Sequence, residues 1–133
     1  MKVEDIEGIG PVHAGTLQGA GISTSEDLLE RAGPKTGRDE LAAATGISGK
    51  LLLDWVNACD LMRIKGIGAQ FSDLLEAAGV DSATELAQRN PASLAQTFGE
   101  LNAARATTRR APTEAMVADW VDQAKKLPKV VTH

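Results

Sequence analysis

A two-glycine turn occurs twice in this chain at a fixed distance. Ile6-Glu7-Gly8-Ile9-Gly10-Pro11 returns as Ile64-Lys65-Gly66-Ile67-Gly68-Ala69, and the glycines that follow, Gly21 and Gly79, keep the same offset of 58 residues. Each turn sits between two helical runs. Pro11 falls at a first helical position, where its missing N–H had no partner to lose. Gly21 and Gly79 each stand where a left-handed residue ends a helix, and Ile22 and Val80 are the apolar residues that fold back after it. A turn repeated in this way predicts two copies of one helical unit.

The rest of the chain fits that plan. Residues 2–6 read as a short helix, and residues 11–20 as a helix whose apolar face includes Val12 and Leu17. Thr24 caps a helix with Glu26 and Asp27 in its first turn, which suits the helix dipole. Gly33-Pro34 stops that helix. Thr36 is the expected cap of a helix over 37–44, closed by Gly46. Ser48 caps a longer one over 49–62 with Leu51, Leu52, Trp55, Cys59 and Met62 at helical spacing. In the second half, 69–78 is the helix after the turn, and Ser82 to Glu85 reads as a capping box. Asn90-Pro91 opens a helix lined by Leu94, Phe98 and Leu101. The last helix spans 113–127 with Met116, Val117, Trp120, Val121, Ala124 and Leu127 as its stripe. Asp54-Trp55-Val56 returns as Asp119-Trp120-Val121, at an offset of 65. No segment alternates with period two. The expected fold class is therefore all-α, two pseudo-repeats sharing a core with Trp55 and Trp120 as its largest pieces. The expected division is 1–62, 63–128 and a loose tail at 129–133. Two units of this size are each marginal alone.

Composition narrows the function classes. With 133 residues, 43% hydrophobic and 3% aromatic, the chain builds an aliphatic core. No run approaches the length of a membrane span. Met1-Lys2-Val3-Glu4-Asp5 lacks an apolar signal region, so no targeting peptide and a cytoplasmic location are expected. The single cysteine, Cys59, excludes an internal disulfide, and no metal-ligand spacing occurs. The net charge is −4, but unevenly spread. Residues 1–60 carry ten acids and five bases, and residues 61–133 carry eight and nine. Only the second half approaches the basic balance of a nucleic-acid binder.

The pattern apolar-X-Gly-Ile-Gly, then a helix, a glycine stop and a second capped helix, resembles the helix-hairpin-helix motif. Both copies match it over about 20 residues, the span of the turn and its following helix. The whole chain also resembles a bacterial helix-hairpin-helix family of uncharacterised function. That likeness rests on Asp60-Leu61-Met62-Arg63-Ile64-Lys65-Gly66-Ile67-Gly68, Leu86-Ala87-Gln88-Arg89-Asn90-Pro91 and Asp119-Trp120-Val121. The resemblance implies a SAM-like helical bundle and carries no assigned activity. It also implies a use for the turn, in which backbone amides hold a DNA phosphate without reading sequence. The chemistry suits this: glycines let backbone approach a ligand closely, and a new helix begins there with free N–H groups and its positive dipole end.

Carried over to this chain, the second turn supplies Gly66, Ile67, Gly68 and Gln70, with Arg63 and Lys65 assisting and Arg109 and Arg110 as a further basic pair. The weaker candidate is the first turn, Gly8, Ile9, Gly10 and Val12. Glu4, Asp5 and Glu7 surround it, each repelling a phosphate by on the order of 1 kcal/mol, and Pro11 cannot donate. The bland alternatives are a purely structural turn, a solvated His13, a buried inert Cys59, core tryptophans and solvated basic pairs.

No nucleophile turn, metal cluster or phosphate loop is present, and no base-flipping pocket is evident, so no enzyme, cofactor or small-molecule substrate is expected. The leading expectation is a non-enzymatic module that binds DNA or RNA weakly through the second turn. The rival is a protein-interaction scaffold in which both turns are structural. The repeated hairpin favours the first and the pI of about 5.1 favours the second.

Overall fold

The structure is a computed structural model that describes residues 1–6, 8–105 and 110–133. Glu7 and residues 106–109 lie outside it. Among the described residues, a 3₁₀ turn at Val3–Asp5 precedes eight α-helices: α1 Gly10–Gly19, α2 Ser25–Ala32, α3 Lys35–Thr45, α4 Gly49–Leu61, α5 Ala69–Ala77, α6 Ala83–Ala87, α7 Pro91–Arg105 and α8 Glu114–Lys126. Among the described residues there is no strand, only an isolated bridge between Lys2 and Thr24. The all-helical class follows from the caps and glycine stops.

Two compact units make up the chain: Met1–Asp60 with Lys129–His133, and Leu61–Pro128. The second unit has a core of its own, where the sequence predicts a shared one. Fourteen buried residues from Leu61 to Ala124 form one cluster, with Ile64, Ile67, Leu74, Leu75, Phe98 and Trp120 among them. Helix α8 packs on α6 and α7, and α5 on α7. In the first unit Ile6, Ile9, Leu17, Ile22, Leu28, Leu41, Leu52, Trp55 and Val56 are buried.

The repeat extends to the hydrogen bonds. Ile22 N–H donates to Leu17 O at 2.9 Å and Gly21 N–H to Gln18 O at 3.0 Å. Val80 to Leu75 and Gly79 to Glu76 repeat both distances. This is the two-bond motif that satisfies orphan carbonyls at a helix end.

Local chemistry accounts for most helix starts. Thr24 and Asp27 form a reciprocal capping box. The Ser23 amide, the Thr24 hydroxyl and the Thr24 amide hold the Asp27 carboxyl below its ordinary value of 3.8. A depressed folded-state value stabilises the fold above the unfolded value and loses that contribution as pH falls through the folded one. Asp27→Asn is therefore expected to flatten the fall in stability below about pH 4, read by thermal melts at several pH values. An unchanged acid limb would reject the assignment.

Four local expectations are corrected. Helix α3 starts at Lys35 behind Pro34, not at Thr36: Pro34 O accepts from Arg38 N–H, and the free Lys35 N–H finds the Thr132 hydroxyl instead of a local cap. Ser82 accepts from Glu85 N–H, but Glu85 turns its carboxylate to Arg89 at 3.2 Å instead of closing the box. Val12 is 78% exposed, since α1 buries Ala14 and Leu17. Leu51 and Met116, predicted as stripe residues, are also exposed.

The tail predicted to hang loose is a strap on the first unit. Val131 is buried. Thr132 N–H donates to Gly33 O at 3.0 Å, and the Thr132 hydroxyl accepts from Lys35 N–H at 2.8 Å. Arg38, buried in α3, joins the strap to the end of α2. Its guanidinium donates to Ala32 O at 3.0 Å, Gly33 O at 2.9 Å and Thr132 O at 2.6 Å. A cation at the C-terminal end of α2 thus meets carbonyls that the helix leaves orphaned.

Candidate nucleic-acid interface

The second turn connects α4 to α5 and is held from both sides. Ile64 N–H donates to Leu61 O and Ile67 N–H to Ile64 O, each at 3.1 Å. Both isoleucines are buried, so Ile67 anchors the turn and its amide is spent inside it. Gly66 has φ +102°, which only glycine adopts without strain, and a Cβ there would lie 3.0 Å from Trp120 Nε1. Gly68 is extended and caps α5, accepting from Ser72 N–H at 2.9 Å.

Helix α8 grips the turn through one side chain. Gln123 accepts from Lys65 N–H at 2.9 Å and donates to Lys65 O at 3.1 Å. Its amide also donates to Asp119 Oδ2 at 2.9 Å, which fixes its orientation. Sequence reading missed Gln123. Its one legible signal is its place one helical turn after Asp119 and beside the Trp120 stripe.

Among the described residues, the amides of Gly66, Gly68, Ala69 and Gln70 donate to no protein acceptor. The Lys65 and Gln70 side chains are exposed, and Lys65 forms no described ion pair. A patch of outward N–H groups with one cation beside it can accept an oxyanion. Arg63 is partly committed, since Nη2 donates to Pro128 O at 2.9 Å. Arg110 is exposed where the chain enters α8, while Arg109 lies outside the described residues. Asp73 is half-buried and Glu76 exposed on α5.

The first turn differs where it matters. Gly8 has φ +90° and Gly10 φ +72°, so the second glycine is left-handed here and extended in the other copy. Ile9 N–H is bonded to Ile6 O at 3.3 Å. Pro11 removes the donor that Ala69 supplies. Glu4 and Asp5 are exposed beside the turn, and Glu7 lies outside the described residues.

Both turns rest on a tryptophan. His13 packs on Trp55 with ring centroids 5.1 Å apart, and Phe71 on Trp120 at 5.2 Å. His13 and Phe71 share the 58-residue offset, so His13 is half-buried as the counterpart of a core aromatic, not solvated as predicted. Trp55 and Trp120 are buried core residues. Cys59 is buried too, and burial first, then the Glu26 charge, pushes its thiol up to about 12, so it stays an inert thiol at neutral pH.

Among the described residues, no group of three or more His, Cys, Asp or Glu side chains is placed to hold a metal ion, and no helix is long and apolar enough to cross a membrane. No curated protein and no solved structure matches the chain. One family profile does match, over residues 7–127, nearly the whole length. The chain belongs to that family, a domain of unknown function (DUF4332).

Proposed function

We propose that both turns are helix-hairpin-helix motifs, and that the second holds a backbone phosphate of DNA or RNA without reading sequence. The observation that supports this reading best is the set of unbonded amides at Gly66, Gly68, Ala69 and Gln70 beside the exposed Lys65. The Gln123 clamp adds preorganisation: the turn is already fixed before a phosphate arrives, so little ordering entropy opposes binding. The chain acts in this reading as a non-enzymatic module, and the first turn serves architecture.

Binding through one lysine and a few amides is weak and falls steeply with salt. In a mobility-shift titration on short double-stranded DNA, single-stranded DNA and RNA at low salt, the parent chain gives a shift. Lys65→Glu abolishes it, while Asp5→Lys does not weaken it. Lys65→Gln lowers the salt slope by about 1, the share of one phosphate contact. The absence of any shift at roughly tens of micromolar protein, the weak end of non-specific affinities, would sink the reading. Equal behaviour of Lys65→Glu and parent would reject the second turn as the contact.

A second reading, a protein-interaction module, is favoured by the first unit. That unit holds the acidic half of the chain and exposes Val12.

A further inference from the structure

Laying one turn on the other through the 58-residue offset isolates a patch in the first unit. Val12 stands where the second unit has Gln70, Asp5 where it has Arg63, and Glu7 where it has Lys65. The closing helices extend the contrast through their offset of 65. Asp119 is engaged by Gln123, but the first unit has Asp54 with Ala58 one turn later, and a methyl group offers Asp54 no donor. Asp54 is exposed and forms no ion pair among the described residues.

The buried Trp55 links α1, the first turn and α4. His13, next to Val12, packs on Trp55. A Cβ at Gly8 would lie 4.0 Å from Trp55 Nε1, so the turn also lies on that indole. Leu51, 39% exposed, stands one helical turn before Trp55 on the same face of α4, with Asp54 three residues on. Glu4 and Asp5 are exposed on the 3₁₀ turn that leads into Gly8. Two exposed aliphatic side chains and a half-buried imidazole thus share their elements with three exposed carboxylates, against two cations, Lys2 at the start of the 3₁₀ turn and Lys50 on α4.

Single exposed aliphatics are ordinary on a surface. What sets these apart is the rim: an apolar centre with a charged border is the anatomy of a protein contact, and the sign of the border selects the partner. We propose that Val12, His13 and Leu51, bordered by Glu4, Asp5 and Asp54, form a docking surface for a basic segment of another protein. That segment sets an aliphatic side chain between Val12 and Leu51 and lysine or arginine against the carboxylates. This surface is separate from the second turn and does not depend on nucleic-acid binding.

The full chain, labelled with nitrogen-15, is titrated with a short amphipathic helical peptide of leucine and lysine, and with the same peptide carrying glutamate for lysine. Amide shifts are expected to centre on Val12, His13, Leu51 and Asp54, with the lysine peptide alone. Val12→Gln, which installs the residue of the second unit, weakens binding about tenfold, the scale of a buried anchor, and leaves thermal unfolding unchanged because the side chain is exposed. Asp54→Asn lowers the salt dependence. Four results would overturn the proposal: equal shifts at Gln70 and Met116, equal binding of the glutamate peptide, no weakening by Val12→Gln, or self-association that Val12→Gln abolishes. The last would make the occupant a second copy of this chain.

Discussion

Gly37→Ala lowers the stability of the first unit by about 3 kcal/mol, the upper end of what overpacking costs. A Cβ at Gly37 would lie 2.1 Å from the carbonyl oxygen of Arg31. The obstacle is backbone, so no side chain can swing away to make room. Relief requires α3 to part from α2, and that separation pulls Arg38 from Ala32 O and Gly33 O. Ala32 O, left without the Arg38 donor, adds to the loss. Urea unfolding followed by Trp55 emission in a Trp120→Phe background reads the first unit. Gly99→Ala is the control, because it stands in α7 with no atom within 4 Å of the added Cβ. There the change is neutral or stabilising by up to about 1 kcal/mol. A Gly37→Ala chain as stable as the parent would refute the close approach.

Gly66→Ala and Gly8→Ala separate two effects that the repeat would otherwise confound. Both glycines have positive φ, +102° and +90°, and an L-residue held there costs about 1–3 kcal/mol. At Gly8 the new methyl meets Trp55 Nε1 at an ordinary 4.0 Å, so strain is the whole cost, about 2 kcal/mol. At Gly66 it meets Trp120 Nε1 at 3.0 Å, and the buried indole already packs on Phe71 and Phe98. The displacement adds about 1 kcal/mol more. Paired denaturant titrations in single-tryptophan backgrounds test the ranking. Equal losses would mean that the Trp120 contact is unimportant. If the second turn holds a phosphate, Gly66→Ala also weakens the mobility shift, whereas Gly8→Ala leaves it in place.

Local chemistry was legible in the sequence, and distant partners were not. Gly21 and Gly79, Thr24 with Asp27, and Gly46 act within a few residues of themselves, and their positions marked the helix ends. The start of α3 was placed at Thr36 because a hydroxyl is the usual cap, whereas the helix begins behind Pro34 with no side-chain cap. The place of Gly37 inside that helix makes sense only beside Arg31 O, which belongs to another helix. The strap was missed because Thr132 finds its partners at Gly33, Lys35 and Arg38, about a hundred positions earlier in a chain of 133. The same holds at the candidate site. The turn residues were identified from spacing, but Gln123 bonds Lys65 across 58 positions. Val12 was assigned to the wrong face because α1 carries apolar or small residues on every side, and periodicity then gives no direction.

The strap also orders events during synthesis. Val131 and Thr132, which finish the first unit, leave the ribosome only after the whole of Leu61–Pro128 has been made. The second unit is one unbroken run and has all its partners as soon as it is out. Arg38 can already bond Ala32 O and Gly33 O, but the bonds that Thr132 makes to Gly33, Lys35 and Arg38 must wait until residues 131–132 arrive. Of the two units, the one whose first segment is translated earlier is thus the one completed later, after Leu61–Pro128 has been made.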